Sequence, residues 1–171
     1  MRVVAGSVRG FNLIVPSGKN TRPTTNRIKE TLFNILQWDI AGCRFLDLFS
    51  GSGGIAIEAL SRGAKEAVMV EKDREAVRCI KQNVQHTKMD DRSRVMPMDV
   101  MQALRRLEQA GRPFDIIFMD PPYQLNAEKE VLTAIADSKI ADEDTQIIIE
   151  ATLDREFSED ELACFDVVRV K

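Results

Sequence analysis

The chain has 171 residues, with 24 Lys and Arg against 27 Asp and Glu, 44% hydrophobic residues, one His and three Cys. This length suits one domain, and the apolar share excludes a disordered chain. The few, widely separated Cys and His residues indicate neither a disulfide framework nor a metal site, and no apolar run approaches the ~18 residues of a membrane span. We therefore expect a cytoplasmic protein that binds neither a metal nor a membrane.

Charge is distributed unevenly along the chain. Residues 1–30 hold six basic residues and one acid, whereas residues 126–171 hold 13 acids and 5 bases. A basic arm on a protein with an acidic tail is suited to local contact with a phosphate backbone. We divide the chain into a basic N-terminal extension, residues 1–23, and a main domain, residues 24–171.

The spacing of glycines and prolines in the N-terminal extension is typical of short strands or a hairpin. Glycines and prolines separate short apolar pairs such as Val3-Val4, which is not a helical pattern. From Thr24 the period changes, and a helix is predicted because apolar residues recur along one face at Ile28, Leu32, Ile35 and Leu36.

The remaining chain alternates between short apolar runs and amphipathic segments. Strands are predicted at 44–49, 67–71, 94–98, 114–119, 146–149 and 167–170, with helices between most of them. Asp73 is placed to cap the helix that follows the second strand. Pro97 indicates that the third strand lies at an edge of the sheet or ends there. The alternation predicts an α/β fold: a Rossmann-like, doubly wound, mostly parallel sheet covered by helices on both faces. Ligands of such a sheet bind beyond the carboxyl ends of its strands.

The first three strand ends carry residues suited to a nucleoside. The first strand runs into Asp47 and a turn with Gly51 and Gly53, where the backbone can approach a ligand closely. This turn also fits the loose dinucleotide fingerprint, so it does not select one nucleotide by itself. Glu71 is placed to accept hydrogen bonds from ribose hydroxyls, and Asp99 is placed to meet an adenine amino group.

The fourth strand runs directly into Asp120-Pro121-Pro122-Tyr123, which is the most informative motif. An exocyclic amine on an aromatic base is a poor nucleophile because its lone pair is delocalised into the ring. The Asp120 side chain and the Pro121 carbonyl could accept hydrogen bonds from the two N–H groups of the amine. The nitrogen lone pair would then point at an electrophile. Tyr123, the only tyrosine, could stack on the base. The motif therefore predicts group transfer to an amine.

Taken together, these motifs resemble those of an S-adenosylmethionine-dependent amino-methyltransferase. The segments Arg22-Pro23-Thr24-Thr25-x-Arg27, 46–49 and 71–73 narrow the likeness to the bacterial 16S rRNA guanine-N2 methyltransferases, from Met1 to about Tyr123. The resemblance implies a class I methyltransferase fold and direct in-line methyl transfer to guanine N2 in 16S rRNA or an assembling small subunit. It assigns catalysis to Asp120, Pro121 and Tyr123, rRNA contact to Arg22 and Arg27, and cofactor binding to Asp47, Phe49, Gly51, Gly53, Glu71 and Asp99.

The sequence departs from this family at its C-terminal end and leaves other functions open. Family members continue into one more strand, so we expect the last strand of the fold to be lacking here. A DNA adenine-N6 methyltransferase stays open because that class carries the same Asp-Pro-Pro-Tyr turn, and so does a non-catalytic RNA-binding module. A nicotinamide enzyme would not use this turn, and a cytosine-C5 methyltransferase would need a Cys nucleophile near it.

Overall fold

The computed structural model describes residues 1–17, 26–122, 127–152 and 154–170. Within them a five-stranded sheet has the order β3-β2-β1-β4-β5, and every neighbouring pair is parallel. The strands are β1 Arg44–Asp47, β2 Glu66–Val70, β3 Ser93–Met96, β4 Ile116–Met119 and β5 Gln146–Ile149. The helices are α1 Asn26–Ile35, α2 Gly54–Ser61, α3 Arg74–His86, α4 Val100–Ala110, α5 Ala127–Ala136 and α6 Glu159–Leu162, with a 3-10 turn at Asp90–Arg92. The predicted Rossmann-like parallel sheet is confirmed.

Helices cover both faces of the sheet, as the continuous apolar strands require. Successive strand residues point to opposite faces, so Phe45 belongs to one hydrophobic cluster and Leu46 to the other. The first cluster joins the sheet to residues of α1, α2 and α3, and the second joins it to α4 and α5. Strands buried on both sides read as unbroken apolar runs, which is why the sequence located them.

Two local predictions about the sheet and its helices are confirmed. β3, which Pro97 follows, pairs with β2 alone among the described strands and forms the edge of the sheet. Asp73 is the N-cap of α3, and its side chain accepts a hydrogen bond of 2.8 Å from the Ala76 amide. The strand order reverses between β1 and β4, so their carboxyl ends border the crevice where ligands of this architecture bind.

Residues 1–17 form a hairpin-like segment, as predicted. The Val3 amide donates to the Phe11 carbonyl (2.9 Å), and Leu13 donates to Met1 (2.8 Å) across an antiparallel bridge. Val3 and Leu13 are buried in the first cluster, so this segment packs on the sheet domain. The predicted boundary at residue 23 lies outside the described residues.

A buried ion pair, which the sequence pattern does not indicate, attaches this segment to α1 and α2. Lys29 Nζ lies 3.0 Å from Glu58 Oε2, and both side chains are fully buried. Lys29 also donates to the Arg2 carbonyl (2.9 Å), while the amides of Val4 and Ala5 donate to Glu58. One of the six positive charges counted in residues 1–30 is therefore inside the protein and cannot contact a phosphate.

The predicted strand at 167–170 is wrong. This segment has no regular secondary structure and pairs with none of the described strands. Val167, Val168 and Val170 are 58%, 93% and 88% exposed. β-branched residues favour a strand only where a neighbouring strand and a buried face are available, and neither is present here. No helix among the described residues is long and apolar enough to span a membrane.

Candidate active site

An open cleft of about 1380 Å³ lies at the carboxyl edge of the sheet. It is bordered by residues that follow or end each of the five strands, and its floor includes the β1–α2 turn. The structure brings together most of the residues that the sequence singled out. Those that line the cleft are Asp47, Phe49, Gly51, Glu71, Asp99, Asp120 and Pro121.

The two predicted glycines have different surroundings. Gly51 has φ +53°, and a Cβ there would meet no atom within 4 Å, so its backbone faces open space in the cleft. Gly53 has φ +78° and is not part of the lining; a Cβ there would come 3.2 Å from Met69 Sδ and 3.4 Å from Ile80 Cγ1. Gly51 thus leaves room for a ligand, whereas Gly53 lets the chain turn tightly against the core as α2 begins.

Asp47, the last residue of β1, is a buried acid whose carboxylate makes no hydrogen bond of ordinary geometry with the described residues. Its side chain is 1% exposed, and neither carboxylate oxygen has a hydrogen-bond partner among the described residues. The Ser50 hydroxyl donates to the backbone carbonyl of Asp47 (3.0 Å) rather than to the carboxylate. Burial raises the pKa of Asp47 to about 7, and the negative charges of Glu71 and Asp120 add to the rise. The Ser50 hydroxyl and the Phe49 amide lie close enough to oppose this rise, although neither makes a hydrogen bond of ordinary geometry to the carboxylate. An unsatisfied acid in a cleft is suited to a cationic ligand group.

The other two acids predicted to bind the cofactor, Glu71 and Asp99, accept hydrogen bonds from backbone amides at the cleft rim. Glu71 accepts from the amides of Gly51 (2.9 Å) and Asp73 (2.8 Å), one on each carboxylate oxygen. These bonds fix the glycine turn to the end of β2 and leave lone pairs on both oxygens. Asp99 is the N-cap of α4 and accepts from the Met101 amide (2.9 Å). Its capping function is structural, but its position in the lining also exposes it to a ligand.

The acidic corner after β4 lies beside the glycine turn. β1 and β4 are neighbours, and their ladder continues past Asp47 because the Leu48 amide donates to the Phe118 carbonyl (3.0 Å). Asp120 therefore borders the same cleft as Gly51, followed by buried Pro121. Tyr123 lies outside the described residues.

The cleft is strongly acidic, and one of its acids was not predicted. Among the described residues, eight acids line it against two bases, Lys72 and Arg105. Glu150 is the missed acid, and it lies directly after β5, where its amide donates to the Met119 carbonyl (2.9 Å). The rule that found the other four acids, one after each strand, would have found it. The lining therefore favours a cationic ligand.

The N-terminal segment borders the cleft, and Asn83 of α3 attaches it to the glycine turn. Asn83 is fully buried; its Nδ2 donates to the carbonyls of Ile14 (2.8 Å) and Ser52 (2.9 Å), and its Oδ1 accepts from the Ile14 amide (2.8 Å). No sequence pattern distinguishes this Asn from a surface one. Of the two predicted RNA contacts, Arg22 lies outside the described residues, and Arg27 is in α1 with its side chain not described.

The parallel sheet and the cleft at its switch point define a class I, Rossmann-like methyltransferase fold, and comparisons with known proteins agree. A solved structure described as "Putative methyltransferase yhhF from Escherichia coli" superposes with a TM-score of 0.80 at 33% identity, over 92% of this chain and 85% of that one. The described ranges contain no cluster of three or more His, Cys, Asp or Glu residues arranged to hold a metal ion.

The family follows from the sequence comparisons. The family model described as "Conserved hypothetical protein 95" matches residues 1–171, and the chain belongs to this family. It is 39% identical to the Bacillus subtilis protein named "Putative rRNA methyltransferase YlbH", over 88% of this chain and 82% of that one. It is 34% identical to the Escherichia coli ribosomal RNA small subunit methyltransferase D, over 90% of this chain and 76% of the relative.

Proposed function

We propose that this protein transfers a methyl group from S-adenosylmethionine to the exocyclic N2 amine of a guanine in 16S rRNA. The names of relatives that are 34% and 39% identical over most of the chain support an rRNA methyltransferase. The observation that carries the proposal is the buried carboxylate of Asp47, without donors, in the same cleft as Asp120. The choice of guanine N2 rests on the resemblance and is the finer part of the proposal.

The cleft fits the charge and shape of S-adenosylmethionine. This cofactor carries an ammonium and a sulfonium, and it supplies an electrophilic methyl group when bound. Asp47 would accept from the ammonium, and the open backbone at Gly51 would leave room for the methionine part. Glu71 would hold the ribose hydroxyls with its remaining lone pairs, Asp99 would meet the adenine amine, and Phe49 and Gly53 would shape the turn.

The residues after β4 would prepare the guanine amine for attack. Asp120 and the Pro121 carbonyl would accept hydrogen bonds from the two N–H groups of the amine, so that the nitrogen lone pair points into the cleft. The amine nitrogen would form its bond to the methyl carbon as the bond from that carbon to sulfur breaks, with its electron pair left on sulfur. Asp120 or water would then take the proton that the nitrogen loses. Tyr123 would stack on the base, which would have to be unpaired or flipped out.

The remaining predictions concern the RNA and the site of action. Arg22 and Arg27 would contact rRNA phosphates, and the substrate would be 16S rRNA or an assembling small subunit. Such a substrate places the protein in the cytoplasm. A DNA adenine-N6 methyltransferase and a non-catalytic RNA-binding module are not favoured, because the relatives are named as rRNA methyltransferases.

Nucleoside analysis after methyl transfer tests the proposal. The purified protein is incubated with methyl-labelled cofactor and either protein-free 16S rRNA or assembled small subunits from cells that lack the protein. We expect label in N2-methylguanosine from at least one of these substrates. Label in N6-methyladenosine, or label in neither RNA, would contradict the proposal.

A further inference from the structure

One face of α3 carries a row of basic side chains. Arg74, Arg78 and Lys81 are spaced by four and three residues and are all exposed, so they lie on one side of the helix. The opposite side is buried through Val77 and Ile80. We call these three residues the α3 basic row; at 1.5 Å per residue it extends for roughly 10 Å along the helix.

The described acids form no ion pair with the α3 basic row. The described part of the chain contains four ion pairs, and none of them includes a member of this row. The only acid within α3 is Glu75, which accepts hydrogen bonds from the Ser17 amide (2.9 Å) and hydroxyl (2.6 Å). Its hydrogen bonds are directed at the N-terminal segment, while its charge also acts on Arg78 within the row. Because one carboxylate faces three cations along this helix, the row keeps a net positive charge towards solvent.

The α3 basic row begins at the rim of the cleft. α3 follows directly on Glu71 and Lys72, which line it. The N-terminal segment runs along one flank of the helix, where Ser17 meets Glu75 and the rings of Phe11 and His86 lie 5.1 Å apart. A strand of RNA that placed a base in the cleft would thus have the row within reach of its neighbouring phosphates.

We infer that the α3 basic row binds the phosphate backbone of the RNA next to the target nucleotide. This inference rests on the proposed function, and it names a contact surface beyond Arg22 and Arg27. The lining of eight acids repels a polyanion, and the whole chain is net negative at −3. Cations at the rim are what would hold RNA beside such a cleft, and their spacing along a helix suits successive phosphates better than a single anion.

Two triple variants with the same change in charge test the inference. The first is Arg74→Gln with Arg78→Gln and Lys81→Gln. The control is Lys65→Gln with Arg112→Gln and Lys139→Gln, three exposed cations that precede β2, β4 and β5 at the opposite edge of the sheet. Binding to protein-free 16S rRNA and to assembled small subunits is measured as a function of salt, and thermal melting and cofactor binding check that both variants are folded.

The row variant should bind RNA more weakly, and its slope of log K against log salt should fall by about 2, or roughly 0.7–0.9 for each phosphate that is no longer neutralised. The control variant should bind RNA with an affinity and a salt slope close to those of the wild type.

Equal losses of affinity in both triple variants would attribute the effect to net charge and overturn the inference. An unchanged salt slope in the row variant would overturn it too. A weakening seen only with ribosomal protein present would mean that the row binds an acidic protein instead, which also overturns it. Absence of methyl transfer by the wild type would count against the proposed function, not against this binding surface.

Discussion

Asp47 and Glu58 are both buried acids, but their surroundings are opposite. Glu58 accepts from the amides of Val4 and Ala5 and pairs with Lys29 and Arg62. Burial opposes its ionisation, but these partners outweigh burial and lower the pKa of Glu58. Asp47 has no donor for its carboxylate among the described residues, and burial raises its pKa to about 7.

This contrast separates an acid that stabilises the fold from one to which we assign a ligand. A buried charge with a full set of partners belongs to a fixed structure, and here it attaches the N-terminal segment to α1 and α2. A buried acid without partners costs stability, and proteins keep such groups where function requires them. Substitutions in the cleft and at the buried ion pair test this contrast, and the substitution with the largest expected effect comes first.

Asp120→Ala removes the acid after β4 that would orient the amine. We expect kcat for methyl transfer to fall by about 10³-fold or more, because positioned acceptors contribute at that scale. Cofactor affinity should change little, since Asp47, Gly51 and Glu71 stay in place. Single-turnover kinetics and calorimetry measure the two effects. The control is Asp137→Ala, an exposed acid outside the cleft lining; near-normal turnover in Asp120→Ala would refute this chemistry.

Glu58→Gln removes the charge of the acid that stabilises the fold and so breaks its buried ion pair with Lys29. We expect unfolding free energy to fall by about 3–5 kcal/mol, because Lys29 is left buried without its counter-charge. The double variant Glu58→Gln with Lys29→Met should recover part of this loss. Denaturant unfolding measures it. Glu66→Gln, which removes a more exposed pair with Arg44, should cost less than about 1 kcal/mol, and equal losses at the two sites would contradict the role given to Glu58.

Asp47→Asn keeps the size of the side chain but removes its charge. At pH 8 we expect the cofactor-free variant to be more stable than the wild type, because a buried charge without donors is removed. Its affinity for S-adenosylmethionine should fall by about 10–100-fold, since the ammonium loses its partner. Melting and calorimetry measure both, with Asp137→Asn as the control. A variant that is destabilised and binds normally would make Asp47 a structural acid like Glu58.

The pH dependence of stability should also distinguish the two acids. The pKa of Asp47 is about 7 in the folded protein, against 3.8 for the ordinary group, so the folded state holds a proton that the unfolded state has released. Its contribution to stability is therefore greatest below pH 4 and is lost as the pH rises towards 7. Glu58 contributes with the opposite sign, because its pKa is lowered. Unfolding free energies of Asp47→Asn should lack the loss between pH 4 and pH 7; a loss as large as in the wild type would contradict the assignment.

The sheet was predictable because its three inner strands, β2, β1 and β4, are buried on both faces, and because each strand reads as a short apolar run followed by a turn or helix signal. The same logic located Asp47, Glu71, Asp99 and Asp120, since the carboxyl ends of parallel strands meet at one edge. It failed at residues 167–170, where a run of valines has no partner strand among the described residues. Strand formation there depends on tertiary context, which an apolar run does not carry.

Polar residues in the interior were beyond the reach of sequence patterns. Lys29, Glu58 and Asn83 look like surface residues in the sequence, and only three-dimensional contacts reveal that each is fully buried. Apart from Arg62, which pairs with Glu58 from one helical turn away, their side-chain partners are 27 to 69 positions away along the chain. The roles of Tyr123, Arg22 and Arg27 stay predictions, because the structure does not describe their side chains.

The most direct test of the account is calorimetric titration of the protein with S-adenosylmethionine between pH 6 and pH 8. If the ammonium binds ionised Asp47, the wild-type affinity should rise by about tenfold over this range, with a proton released on binding below pH 7. Asp47→Asn should bind weakly and with little change in affinity. A wild-type affinity that does not vary with pH, or one that varies equally in Asp47→Asn, would contradict the claim that this buried carboxylate anchors the cofactor.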